Sequence, residues 1–214
     1  MTSGGGEPIS NSYDIHDFER PKERHPVAVI GSGHDADAVS AAGGTIGSEG
    51  PLVIGEAALT VDTGTVVAEA LRAGRNVLVL AQTAASAPHL PVSASMADLA
   101  TEWGSLPYFF STRERRLTAV PAGVVVTTEL LCITPTVVYT ALGDERWPEG
   151  LALGMYKPAP GRLTGFVVGA VPVGRAHLWF CQLPLVDAAV ADDATAVTTL
   201  SDLLRAAAQE GVTQ

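Results

Sequence analysis

Glu56, Asp98, Glu102 and Glu129 are the side chains of this 214-residue sequence best suited to acid–base chemistry. Two rigid carboxylates about 5 Å or about 6.5–9.5 Å apart can cleave a glycosidic bond, one protonating the leaving oxygen while the other attacks or activates water. Glu56 follows the apolar run Leu52-Val53-Ile54, and α/β sheets bind ligands just beyond the ends of their strands. Each of the four acids would serve equally well as a solvated loop residue or a helix cap. Cys132 and Cys181 could act as nucleophiles. A catalytic thiol needs a base or a helix N-terminus beside it, however, and both cysteines lie in apolar runs that suit small buried hydrophobes.

Gly31-Ser32-Gly33-His34-Asp35-Ala36 fits G-x-G-x-x-A directly after a β-branched run. In a dinucleotide-binding unit such glycines let a pyrophosphate reach a helix N-terminus. Asp35 and Asp37 would repel that phosphate, and Glu49 is the nearest acid for a ribose. An ordinary βα turn explains the same residues. His34, His89 and His177 are isolated, and His16 between Asp14 and Asp17 is too little for a metal site. No cofactor or metal is indicated. Glu102-Trp103-Gly104-Ser105 and Trp147 offer indole faces beside polar groups, which suit a sugar ring or a protein partner as well as core packing.

The elements that must position these residues follow from periodicity. Residues 51–82, PLVIGEAALTVDTGTVVAEALRAGRNVLVLAQ, read as strand, helix, strand. Val27–Ile30, Leu52–Ile54 and Asn76–Ala81 are continuous apolar runs of the kind buried in a parallel sheet. Helices are expected over 35–42, stopped by Gly43-Gly44, and over the stretch containing Val66, Val67, Ala70 and Leu71, capped by Asp62 or Thr63 and ended by Gly74. A short strand is expected at Thr45-Ile46. After about residue 105 strand-like runs follow one another: 106–110, 123–128, 130–140, 151–156, 164–171 and 176–182, with a hairpin at Pro172–Arg175. Residues 194–208 read as an amphipathic closing helix that turns Leu200, Leu203 and Leu204 toward the sheet. These elements predict an α/β fold, a parallel sheet with a β-rich C-terminal extension. Residues 1–25 form a polar tail or linker and residues 26–210 one domain.

The net charge of −10 disfavours nucleic acid and anionic membranes as partners. Hydrophobic residues make up 47% of the chain, enough for a substantial core, yet no unbroken apolar run is long enough to span a bilayer. Two cysteines without a framework spacing suit a reducing, cytoplasmic setting.

The runs PLVIGEAAL, VVAEALRAGRNVLVLAQ, TEWGS and YKPAPGRLTGFVVGAVPVGRAHLWFCQLPL, followed by the closing helix, resemble a C-terminal module of bacterial glycoside hydrolase family 2 type proteins, the β-galactosidase and β-mannosidase relatives. That module is similar to the class I glutamine amidotransferase-like fold, a flavodoxin-like sheet. The resemblance spans roughly residues 26–208. It implies an accessory domain of a carbohydrate-active enzyme that packs against a hydrolase domain or another copy of itself, with carbohydrate as a further candidate ligand at its rim. It transfers no catalytic residue. Working amidotransferases carry Cys in G-x-C-x-G and a downstream His-x-Glu, whereas the corresponding corner here reads Ala81-Gln82-Thr83. The chain is also too short for a (β/α)₈ barrel of about 250 residues. The candidate binding residues are therefore Glu56, Gln82, Glu102, Trp103 and Ser105. Two rival expectations stand beside this one: a Rossmann-type binding module using Gly31 and Gly33, and an independent hydrolase using Glu56 or Glu102.

Overall fold

Three of the apolar runs form neighbouring parallel strands in the computed structural model, which describes residues 20–98, 106–111, 133–142, 149–156 and 162–209. β1 (His25–Ile30) lies between β2 (Gly44–Ile46) and β3 (Leu52–Ile54), and β3 pairs with β4 (Val77–Val79), all in parallel. The other side of β4 is taken, again in parallel, by β10 (Ala176–Cys181), the last strand of the described residues. The resulting order β2-β1-β3-β4-β10 is the flavodoxin-like 2-1-3-4-5 arrangement, its fifth place filled by a strand that returns from far along the chain.

Between β4 and β10 the chain builds the expected β-rich extension. β9 (Arg162–Val173) pairs antiparallel with β10 through a turn at Gly174-Arg175, where Gly174 has φ 63°. β9 also pairs with β8 (Glu149–Tyr156), and at Phe166 with Tyr139 of β7 (Val137–Leu142). β6 (Leu106–Ser111) extends β8, and β5 (Ala94–Asp98) extends β7.

Helices cover both faces of the parallel part, so its strands are apolar on both sides. Val53, Leu78, Leu80, Trp179 and Cys181 pack toward α1 (Gly33–Ala41), α3 (Val186–Val190) and α4 (Ala194–Gln209). The alternate residues Leu52, Ile54, Val77, Val79, Leu178 and Phe180 pack toward α2 (Val61–Arg72), Tyr139 and Phe166. This is the strand period of two read on two buried faces. In α4, Leu200, Leu203 and Leu204 are fully buried, as their spacing predicts. Asn76 pins the helix: its Nδ2 donates to the Ala207 carbonyl at 2.7 Å while its Oδ1 accepts the His177 N–H at 2.8 Å.

Several expectations need correction. Thr60 caps α2, because the chain is extended there and its hydroxyl accepts the Thr63 N–H; Asp62 falls in the first turn and Thr63 completes the capping box. The stretch 83–97, to which the sequence assigns no helix or strand, contains a 3₁₀ turn (Ala84–His89) and most of β5, which lacks strand-forming residues and exists through its pairing with β7. The run 130–140 is not one strand: β7 starts at Val137, after a non-strand stretch through Pro135. β4 is shorter than 76–81, and the short helix α3 was not anticipated. Of the expected tail, residues 1–19 lie outside the described residues, while His25 opens β1 and Arg24 donates to the Ser40 carbonyl at 3.0 Å. The run 123–128 also lies outside them.

Candidate functional site at the carboxyl edge of the sheet

The loops leaving β1, β3, β4 and β10 meet at one end of the parallel sheet, the end where α/β folds bind ligands. Four polar side chains stand there: Asp35, Glu56, Gln82 and Gln182. Each follows its strand by a few residues because the buried run stops and the chain turns.

After β1, Ser32 is extended and caps α1, accepting the Asp35 N–H at 3.3 Å. Asp35 is only 2% exposed. Its Oδ2 accepts both the N–H and the hydroxyl of Ser32, each at 2.6 Å, and its Oδ1 accepts the Glu56 N–H at 2.8 Å. After β3 comes Gly55-Glu56-Ala57, where Ala57 has φ 54°. Among the described residues that left-handed corner, on the way from β3 to α2, is the strand-to-helix connection with a non-glycine residue at positive φ, and an alanine holds the turned position.

Glu56 is half-buried, and its Oε1 accepts the Val186 N–H at 3.0 Å, tying the corner to the start of α3. Burial raises its carboxyl above the ordinary Glu value; the Val186 and Leu185 amides oppose that shift, and the neighbouring Asp35 and Asp187 add to it. Asp187 also faces His34, with Oδ1 3.6 Å from Nδ1, on an exposed rim.

Gln82 is buried behind this corner. Its Oε1 accepts the Leu59 N–H at 2.9 Å, and its Nε2 donates to the carbonyls of Gly55 at 2.7 Å and Leu80 at 2.8 Å. The Gln82 N–H in turn donates to Gln182 Oε1 at 3.0 Å. Gln82 thus braces three backbone segments. No residue from 81 to 83 has a positive φ, and a 3₁₀ turn follows, so this corner lacks elbow geometry.

The structure therefore brings Glu56 and Gln82 to one edge and gives both internal partners. Glu102, Trp103, Ser105, Glu129, Cys132 and Trp147 lie outside the described residues. Asp98 is exposed at the end of β5. Cys181 is fully buried, and desolvation pushes its thiol up to about 12, which leaves it without thiolate character. Gln182 was missed by sequence reasoning; its only signal was a polar residue ending an apolar run.

Among the described residues no group of three or more His, Cys, Asp or Glu is placed to hold a metal, and no helix is long and apolar enough to cross a membrane. No protein-family model matches the sequence, and no curated protein matches it. A crystal structure from Thermoplasma acidophilum, provisionally identified as one of the GMP synthase subunits, is similar in fold at 12% identity and a TM-score of 0.45, covering 90% of this chain and 96% of that one. The α/β architecture itself rests on the strand order and pairing directions of this chain.

Proposed function

We propose that this chain is a non-catalytic accessory module of a carbohydrate-active enzyme, packing against a catalytic domain of glycoside hydrolase family 2 type or against another copy of itself. The observation that carries the reading is the use made of the polar groups at the ligand end of the sheet. Asp35, Glu56, Gln82 and Gln182 bind loop amides and carbonyls of the chain itself. Ala57 stands at the left-handed strand-to-helix corner of the sheet edge. A side chain already bound to backbone groups is a brace, and bracing suits a rigid packing partner. The sequence resemblance supplies the partner class. The test is co-expression with a family 2 catalytic domain followed by size-exclusion chromatography and an aryl-glycoside assay. Co-elution without turnover by the isolated chain is expected. Turnover by the isolated chain would refute the non-catalytic part, and separate elution of both proteins as monomers would refute the packing part.

One observation favours a second reading, an independent hydrolase. Glu56 is a partly exposed carboxyl whose proton burial holds more tightly than in an ordinary Glu, the direction a general acid requires. That reading needs a second acid across a substrate. It predicts glycoside turnover that Glu56→Gln abolishes, with an alkaline limb in the pH–rate profile that belongs to Glu56.

A further inference from the structure

The glycines around Asp35 are explained neither by packing between domains nor by hydrolysis. A Cβ on Gly31 would lie 2.6 Å from Asp35 Oδ2, and a Cβ on Gly55 would fall inside contact distance of Asp35 Cγ. Neither glycine is at positive φ, so close approach, not backbone conformation, is what excludes a side chain at both. The two loops they belong to follow β1 and β3, the strands between which the sheet order reverses. In flavodoxin-like sheets that crevice takes the anionic group of a ligand. Here three donors from the two loops converge on one carboxylate: the Ser32 N–H and hydroxyl on Oδ2, and the Glu56 N–H on Oδ1. Asp35 itself sits in the first turn of α1, at the positive end of the helix dipole.

We infer that the loops after β1 and β3 form an anion nest permanently filled by the chain's own Asp35 carboxylate, which excludes phosphate-bearing ligands from the switch point. A capping box accounts for the Ser32 N–H bond alone. It does not account for the bond to Glu56, twenty-one residues away on another loop, nor for a glycine at 55. The charge of Glu56 acts in the same direction, since its carboxyl is close enough to Asp35 to feel its repulsion and a second anion would enter against both. Gly31-Ser32-Gly33, which resembles a phosphate-binding fingerprint, is thereby reassigned: Gly31 makes room for an internal carboxylate.

The experiment is chemical rescue. Asp35→Ala removes the carboxylate and leaves the donors. Its Tm should fall by roughly 3–12 °C, the scale of losing one charged acceptor in a chain of this size. Sodium formate, against sodium chloride at equal ionic strength, should restore part of that loss in the variant and leave the native protein unmoved. Hydrogen exchange at the Glu56 amide should accelerate in the variant, which a loss of helix capping alone would not produce. Equal formate response in both proteins, or an unchanged Glu56 amide, overturns the inference. If Asp35→Ala does not fold, Asp35→Asn keeps the shape but turns one acceptor into a donor. Exchange at Ser32 or Glu56 should then quicken at least about tenfold, and native protection at both amides overturns it equally. A Tm increase of the native protein on adding inorganic pyrophosphate would also overturn it.

Discussion

Gln82→Ala is the sharpest test of how the sheet edge is built. The side chain is 4% exposed and makes three hydrogen bonds to backbone groups of two strand ends and the segment before α2. Truncation leaves the Leu59 N–H and the carbonyls of Gly55 and Leu80 without these partners in a buried place. A net contribution of about 0.5–1.5 kcal/mol per bond gives a loss of roughly 2–4 kcal/mol, toward the upper end where water cannot enter. Gln82→Glu should be worse near neutral pH, because a carboxylate oxygen would face the two carbonyls that now accept Nε2–H bonds. Equilibrium urea unfolding at constant m-value measures both. Thr65→Ala, on the exposed face of α2, is the control and should change stability by less than about 0.5 kcal/mol. A Gln82→Ala loss as small as the control's would refute the bracing role and return Gln82 to the list of ligand contacts.

Leu203→Ala, at a fully buried site in α4, should lose about 2–5 kcal/mol in the same assay; a loss below about 0.5 kcal/mol would mean that the closing helix is not docked. Gly33→Ala should be neutral or stabilising by up to about 1 kcal/mol, since a Cβ there meets nothing within 4 Å, whereas Gly55→Ala should lose about 1–3 kcal/mol against Asp35; equal effects would contradict the packing described. Glu56 is held above its ordinary value by burial, so the folded state binds its proton more tightly than the unfolded chain does. Its contribution to stability therefore improves as pH falls from neutral through the folded value toward the ordinary Glu range, and is lost as pH rises. Glu56→Gln should flatten that part of the profile, and an unchanged slope in urea midpoints would remove Glu56 as its source. Cys181, buried with its thiol pushed up to about 12, should resist maleimide in native Cys132→Ser protein and react on unfolding; rapid native labelling would disprove its burial.

The sequence by itself determined the elements whose signal is local. Val27–Ile30, Leu52–Ile54 and the α2 and α4 stretches announce themselves because a strand buried on both faces must be continuously apolar, and a helix covering a sheet must repeat its leucines at helical spacing. Gly43 and Gly74, at φ 95° and 83°, ended their helices where the sequence put them, since few other residues adopt that backbone cheaply. The parallel order followed from the alternation of those elements. The candidate edge residues Glu56 and Gln82 were also legible, as polar groups at the ends of apolar runs.

What each of those two residues touches was decided only by the tertiary structure. Gln82 reads as a possible contact in sequence because a glutamine beyond a strand shows no sign of what it bonds; of its partners only Leu80 is local, while Leu59, Gly55 and Gln182 are distant in the chain. Asp35 reads as an obstacle to phosphate, and only the approach of the β3 loop turns it into the acceptor of the Glu56 amide. β5 has no strand signal of its own and exists because β7 offers it a ladder. β10 fills the fifth place of the parallel sheet while being the hairpin partner of β9, a double role that no window of sequence contains. Local propensity is written in neighbouring residues, whereas the pairing of loops and edges depends on which distant backbone arrives beside them, and that is settled when the whole sheet closes its hydrogen bonds.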